Sequence, residues 1–113
     1  MVAGWAEANG IPRNAFLDLG LVPNRIMPSV LWDMDAAIFP NRCEGGTNLV
    51  AMEAMACGVP CILSANTGHL DIIHKENCFA LDDQRTITAP GSYASMLKDS
   101  QVEQIVDMLD RIF

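Results

Sequence analysis

Basic charge is scarce in this chain: seven Lys and Arg stand against fourteen Asp and Glu, giving a net charge of −7 over 113 residues. Such an acidic surface repels phosphate backbones and anionic headgroups, so nucleic acid and anionic membranes are excluded as main partners. No Cys-x2-Cys pair occurs among Cys43, Cys57, Cys61 and Cys78, and Cys57 and Cys61 straddle a Gly-Val-Pro turn. A cysteine-based metal or redox protein is therefore the weakest reading, and no metal site is expected. The cysteines read as buried free thiols acting as small apolar side chains. His69 and His74 read as loop or helix-end residues. No basic region precedes an apolar core at the N-terminus, where Glu7 stands, so no secretory leader is expected. The one long uncharged stretch is interrupted by Gly58, Pro60, Ser64, Asn66 and Gly68 and cannot span a bilayer. A cytoplasmic location is the expectation. No internal repeat is present.

Half of the residues are apolar and 19% are charged, the composition of a globular chain. Its length supports one domain, residues 1–113. A helix is predicted over Val2–Asn9, stopped by Gly10, and a strand over Ala15–Leu19, stopped by Gly20. A second helix covers Met27–Asp33, with Pro28 in its first turn. Short apolar runs at Ala36–Phe39, Cys61–Ser64 and Cys78–Leu81 suit fully buried strands. Between the first two of these, a helix runs from about Asn48 to Cys57, with Thr47 or Asn48 as N-cap and Gly58 as stop. A short helix is expected at Leu70–His74 and an irregular loop over residues 82–97. Ser100-Gln-Val-Glu103 reads as a capping box opening a last helix. Its apolar face is Val102, Ile105, Val106, Leu109, Ile112 and Phe113. Strands alternating with helices predict an α/β fold, a Rossmann-like parallel sheet of about four strands with helices on both faces. Ligands of such sheets bind beyond the carboxyl ends of the strands. Two loops reach that edge, Gly45–Asn48 and Asn66–Gly68.

Absence of charge also isolates one residue. The 26 residues from Gly45 to Leu70 carry a single ionised side chain, Glu53, and Glu44 stands immediately before them. Flanked by Leu49, Val50, Ala51, Met52, Ala54, Met55 and Ala56, Glu53 is expected to be desolvated, which is costly without a polar partner. The glycine-rich loop ahead of it brings free backbone N–H groups to the positive end of a helix dipole, a site suited to phosphate or diphosphate. A carboxylate close to a phosphate is tolerable where it faces hydroxyls, as on a ribose diol. Glu44 can hold sugar hydroxyls in the same way. Two glutamates flanking a phosphate cradle describe a nucleotide-sugar site; a structural buried glutamate is the alternative reading of Glu53.

The run from Phe39 to Leu49, followed by Met52-Glu-Ala-Met-Ala-Cys-Gly-Val-Pro60, resembles the donor-site signature of group 1 retaining glycosyltransferases. The similarity continues through Ser64–Ile73 and Asn77–Leu81 and covers roughly residues 15–81. The resemblance implies an incomplete C-terminal domain of the GT-B fold, with no metal or other cofactor. It implies that Glu44 contacts the transferred sugar and Glu53 the nucleotide ribose. Backbone amides around Gly45, Gly46, Thr47, Asn48 and Leu49 would hold the diphosphate and sugar.

Two departures bear on that transfer. Eight residues separate Glu44 from Glu53, one more than the family's usual spacing, and the matching Leu49-to-Glu53 register puts the extra residue in the Gly45–Asn48 loop. The family's upstream basic residues for the diphosphate and its acceptor domain have no counterpart here, and Arg42 alone is basic near the loop. It reads equally as a solvated loop charge or a phosphate contact. The expectation is a donor-binding domain cut at both ends, inactive by itself; the alternative is a non-catalytic α/β module that kept the family core. Strand edges exposed by the cuts predict self-association.

Overall fold

The computed structural model describes residues 2–88, 90–91 and 96–113. The apolar runs form β1 (Ala37–Phe39), β2 (Cys61–Ser64) and β3 (Phe79–Leu81), one parallel sheet in the order β1-β2-β3. Central β2 places Ile62 beside Ile38 and Phe79, and Leu63 beside Phe39 and Ala80. All four β2 residues are buried, which is why this strand shows no apolar–polar alternation. Complete burial of Ile62 and Leu63 contributes about 1.5–3 kcal/mol each.

The sheet has three strands rather than about four, because Ala15–Leu19 is not a strand. A single 3-10 turn occupies Arg13–Ala15, and the chain beyond it runs extended but pairs with nothing among the described residues. The Asp18 carboxylate accepts from Gly20 N at 2.9 Å, a local turn that competes with strand pairing. Leu17, at 79% exposure, packs on no core. Apolar content made the segment look like a strand; without a neighbouring edge it has no ladder to join.

Helices α1 (Val2–Ala8) and α2 (Met27–Trp32) fall where the sequence puts them, α2 with Pro28 in its first turn. Helix α3 (Leu49–Ala56) carries Ala51 and Ala54 inward, both without accessible surface, against Val59, Cys61 and Leu63. Small side chains on that stripe let the helix lie close to β1 and β2. It ends in a Schellman motif: Val59 N donates to Ala54 O at 3.1 Å and Gly58 N to Met55 O at 3.0 Å. Gly58 supplies the left-handed residue, φ +77°, that this closure requires.

After β2 the chain makes a 3-10 helix over Thr67–Asp71, three residues earlier than the predicted Leu70–His74 helix. Residues 82–97 are not wholly irregular. Strands β4 (Gln84–Thr86) and β5 (Lys98–Ser100) pair antiparallel as a second, two-stranded sheet; Ala89 and residues 92–95 of the predicted loop lie outside the described residues. The capping box is absent as well. Ser100 belongs to β5, and its Oγ bonds Ser64 Oγ at 2.6 Å and accepts from Gln84 Nε2 at 2.8 Å. Helix α4 (Val102–Ile112) therefore starts after Gln101 with no side-chain cap. Its periodicity is as expected, and it packs on β3, but Val102, Val106 and Phe113 of the predicted inner face are exposed.

Candidate functional site

The loop after β1 and the turn after β2 meet at the carboxyl edge of the sheet. Glu44 N donates to Thr67 Oγ1 at 2.7 Å, and Gly68 N donates to Glu44 O at 3.2 Å. The approach is so close that a Cβ on Gly68 would coincide with the Gly46 carbonyl oxygen. Asn66, almost fully buried, completes the junction by donating to Asn41 O at 2.9 Å and Gln84 Oε1 at 3.0 Å. Both loops expected at one crevice are thus a single packed unit, with β4 and β5 behind it.

Two non-glycine residues of this unit take left-handed backbone angles, Asn48 at φ +59° and Thr67 at φ +39°. Such angles cost energy in residues with a Cβ, most of all in a β-branched one, and they gather at functional sites. Asn48 is the N-cap of α3, its Oδ1 accepting from Ala51 N at 3.1 Å. Beyond this cap, Gly46 N reaches only Glu44 Oε1, at 3.4 Å. Among the described residues, no acceptor meets the N–H groups of Gly45, Thr47, Asn48, Leu49 or Val50. A row of unpaired donors at the positive end of a helix is suited to an anion.

Glu44 is half-buried at the entrance of the loop, its Oε2 accepting from Asn41 Nδ2 at 2.9 Å. A carboxylate has about four acceptor positions, so Glu44 keeps capacity for ligand hydroxyls. Arg42 pairs with Asp99 at 2.6 Å on the surface, neither a free loop charge nor a preformed anion contact. Lys98 N donates to Arg42 O at 2.9 Å, so the backbone of β5 ties down the start of the loop, while the Lys98 ammonium donates to Thr86 Oγ1 at 2.8 Å within the β4–β5 pair.

Glu53 corrects an expectation. It is exposed, because α3 turns Ala51 and Ala54 to the sheet and Glu53 away from it. Instead of being desolvated, it lines a cavity of about 230 Å3 between α2 and α3, with Asn24, Met27, Pro28, Leu31, Ala56 and Cys57. The structure joins Glu44 with Gly45–Asn48 in one cluster and sets Glu53 on the neighbouring groove.

A family model described as glycosyl transferases group 1 matches residues 5–99, most of the chain and all of this site. The chain belongs to that family. Comparison with curated proteins finds no match. The family match extends further in both directions than the motifs visible by eye, from within α1 to within β5.

In this group 1 glycosyltransferase chain, the residue that sequence reading most undervalued is His69. It has no accessible surface, and its ring bonds Ser64 O through Nδ1 at 3.0 Å and Asn48 Nδ2 through Nε2 at 2.9 Å. A titratable residue inside a charge-free stretch was the available signal, the same one that drew notice to Glu53. A cavity of about 780 Å3 lies at the opposite ends of β2 and β3, among Val59–Cys61 and Asn77–Ala80. It has no part in the Glu44 cluster. Among the described residues, no three His, Cys, Asp or Glu side chains are placed to share a metal ion, and no helix is long and apolar enough to cross a membrane.

Proposed function

We propose that residues 1–113 form a single partial Rossmann-like domain that binds a nucleotide-diphosphate sugar, the donor of a group 1 glycosyltransferase. The observation that carries this reading is the row of amides of Gly45, Thr47, Asn48, Leu49 and Val50 at the start of α3, which meet no acceptor among the described residues, with the Glu44 carboxylate at its entrance. A diphosphate accepts from the amides of Gly45, Gly46, Thr47, Asn48 and Leu49. The long bond from Gly46 N to Glu44 Oε1 exchanges for a ligand oxygen at little cost. Glu44 then faces the sugar hydroxyls, and Glu53 faces the ribose with the nucleoside in the groove between α2 and α3. Backbone amides and the helix dipole neutralise the diphosphate in this scheme, and no metal ion is required. Transfer of the sugar needs an acceptor held against this edge by a second surface; the role assigned to these residues is donor binding, without turnover by the chain alone.

One observation favours a second reading, a non-catalytic α/β module: Arg42, the nearest guanidinium, is already paired with Asp99. A titration with UDP-, GDP- and ADP-glucose, followed by the amide resonances of Gly45–Leu49, separates the two. The donor reading expects saturable shifts at that loop for at least one nucleotide, weakened in Glu53→Ala. No shift with any of the three leaves the module reading in its place.

A further inference from the structure

Hydrogen bonds run donor to acceptor in one direction, from the start of α3 to the end of β2. The Ser64 carbonyl can only accept, so the His69 nitrogen 3.0 Å from it, Nδ1, carries a hydrogen. Asn48 turns its carbonyl oxygen to Ala51 N and therefore its amide nitrogen to His69 Nε2, which accepts at 2.9 Å. The sequence of donors is then Ala51 N–H to Asn48, Asn48 to His69, and His69 to Ser64 at the end of β2. Every polar atom in it has a defined role, and the partners alone fix the His69 tautomer and the Asn48 amide orientation. The imidazole is fully buried and hydrogen-bonded through both ring nitrogens.

Asn48 needs that support. Its left-handed angles, φ +59° and ψ +81°, are reached by Asn more readily than by most residues with a Cβ, provided its side chain is hydrogen-bonded locally, and here its acceptor is used by the helix cap. Among the described residues, the donor side of the amide has one partner, His69. With Asn48 held this way, Ala51 N is satisfied within the protein, while the Leu49 and Val50 N–H groups are left for a ligand. We propose that His69 is a positioning residue of the donor site: it fixes Asn48, and through it the amides that receive the diphosphate. This rests on the donor-binding reading above.

The experiment is a double-mutant cycle on the 113-residue chain, read as the Kd of whichever of UDP-, GDP- or ADP-glucose the wild type binds. Hydrogen exchange of the Ala51 amide is recorded in parallel. His69→Ala is expected to weaken binding by about tenfold, the size of a lost cap interaction, and to unprotect Ala51. Asn48→Gly adopts the left-handed angles freely but has no side chain to hold. In that background, adding His69→Ala is expected to change Kd less than about twofold, since His69 acts through Asn48 alone. His69→Gln, which returns a carbonyl acceptor to Asn48, is expected to recover most of the lost affinity, whereas His69→Leu fills the volume without recovering it.

Wild-type affinity in a folded His69→Ala overturns the proposal, as does the same loss in the Asn48→Gly background. If His69→Ala does not fold, equal affinities of the Gln and Leu variants overturn it. A wild-type chain that binds none of the three nucleotides has a different signature: it overturns the donor-binding reading itself, and the role of His69 with it.

Discussion

Gly68 does not take a positive φ, yet a methyl group on its α-carbon would coincide with the Gly46 carbonyl oxygen and lie 3.1 Å from that of Glu44. The obstacle is backbone, which cannot swing aside like a flexible side chain. Gly68→Ala must therefore push the Gly45–Asn48 loop off the Asn66–Gly68 turn and break the bond from Gly68 N to Glu44 O. The expected cost is about 1–3 kcal/mol, read as a lowered denaturant midpoint at unchanged slope. Gly4→Ala is the control: it stands in α1 with open space around its α-carbon and is expected to gain up to about 1 kcal/mol of helix propensity. Equal midpoints for the two variants would refute the close approach. The two strained residues beside Gly68, Asn48 and Thr67, have a common cause. Each holds its angle because its side chain is bonded on both sides of the junction, Asn48 to His69 and Ala51, Thr67 to Glu44 and Asn66.

Strand β2 illustrates what an element adds to its residues. Cys61 is buried at its start, and burial pushes its thiol up from the ordinary 9.0 to about 11, with the neighbouring Cys78 adding to the shift. The fold favours the neutral thiol, so the contribution of Cys61 to stability is complete below pH about 9 and is lost as pH climbs through about 11. Chemical denaturation at pH 8, 9, 10 and 11 should show a decline that is shallower in Cys61→Ala than in the wild type. At the other end of β2, Ser64 Oγ meets Ser100 Oγ of β5. Ser100→Ala strands a buried hydroxyl and is expected to cost about 1–3 kcal/mol, while Ser64→Ala added to it costs less than the sum. Glu103→Gln should change stability by less than about 1 kcal/mol, because α4 has no capping box for it to complete. That pairing explains which elements were legible in the sequence. The apolar runs of β1, β2 and β3, the Asn48 cap and the Gly58 stop are local signals, and the structure follows them, except that only β2 is fully buried: β1 and β3 flank it in the sheet, and Ile38 of β1 is exposed. Ser100 carries a correct cap signal, but a tertiary partner claims its hydroxyl. Ala15–Leu19 has the composition of a strand and no edge to pair with. At the site, Glu44 and the glycine loop were legible as a motif. The exposure of Glu53 and the burial of His69 were not, because both depend on how α3 is rotated against the sheet and on which loop reaches it from 21 residues away.

At the scale of the whole molecule, polar and apolar surface are unevenly distributed. The polar bonds concentrate on the carboxyl edge of the sheet and on β4 and β5, while Trp5, Leu17, Leu21 and Trp32 stand exposed in the first third of the chain. Strand β1 is an edge of the three-stranded sheet. It pairs with β2 alone, so its outer N–H and C=O groups meet no strand among the described residues, and Ile38 projects there at 39% exposure. Unpaired strand edges and exposed large apolar side chains favour association with another chain. Against this stands the net charge of −7, which repels a second copy over a distance of about 10 Å at moderate salt. Contact-range burial outweighs screened repulsion once the surfaces meet, so association should strengthen as salt is raised. Sedimentation of the chain at rising concentration is expected to show a growing mass, more so at 0.5 M than at 0.05 M NaCl. Ile38→Lys places a charge on the open edge without touching the Glu44 cluster and is expected to shift the distribution toward monomer. A wild-type mass that stays monomeric at both salt concentrations would show that β1 is protected by its shortness alone, three residues being too few to template a partner strand.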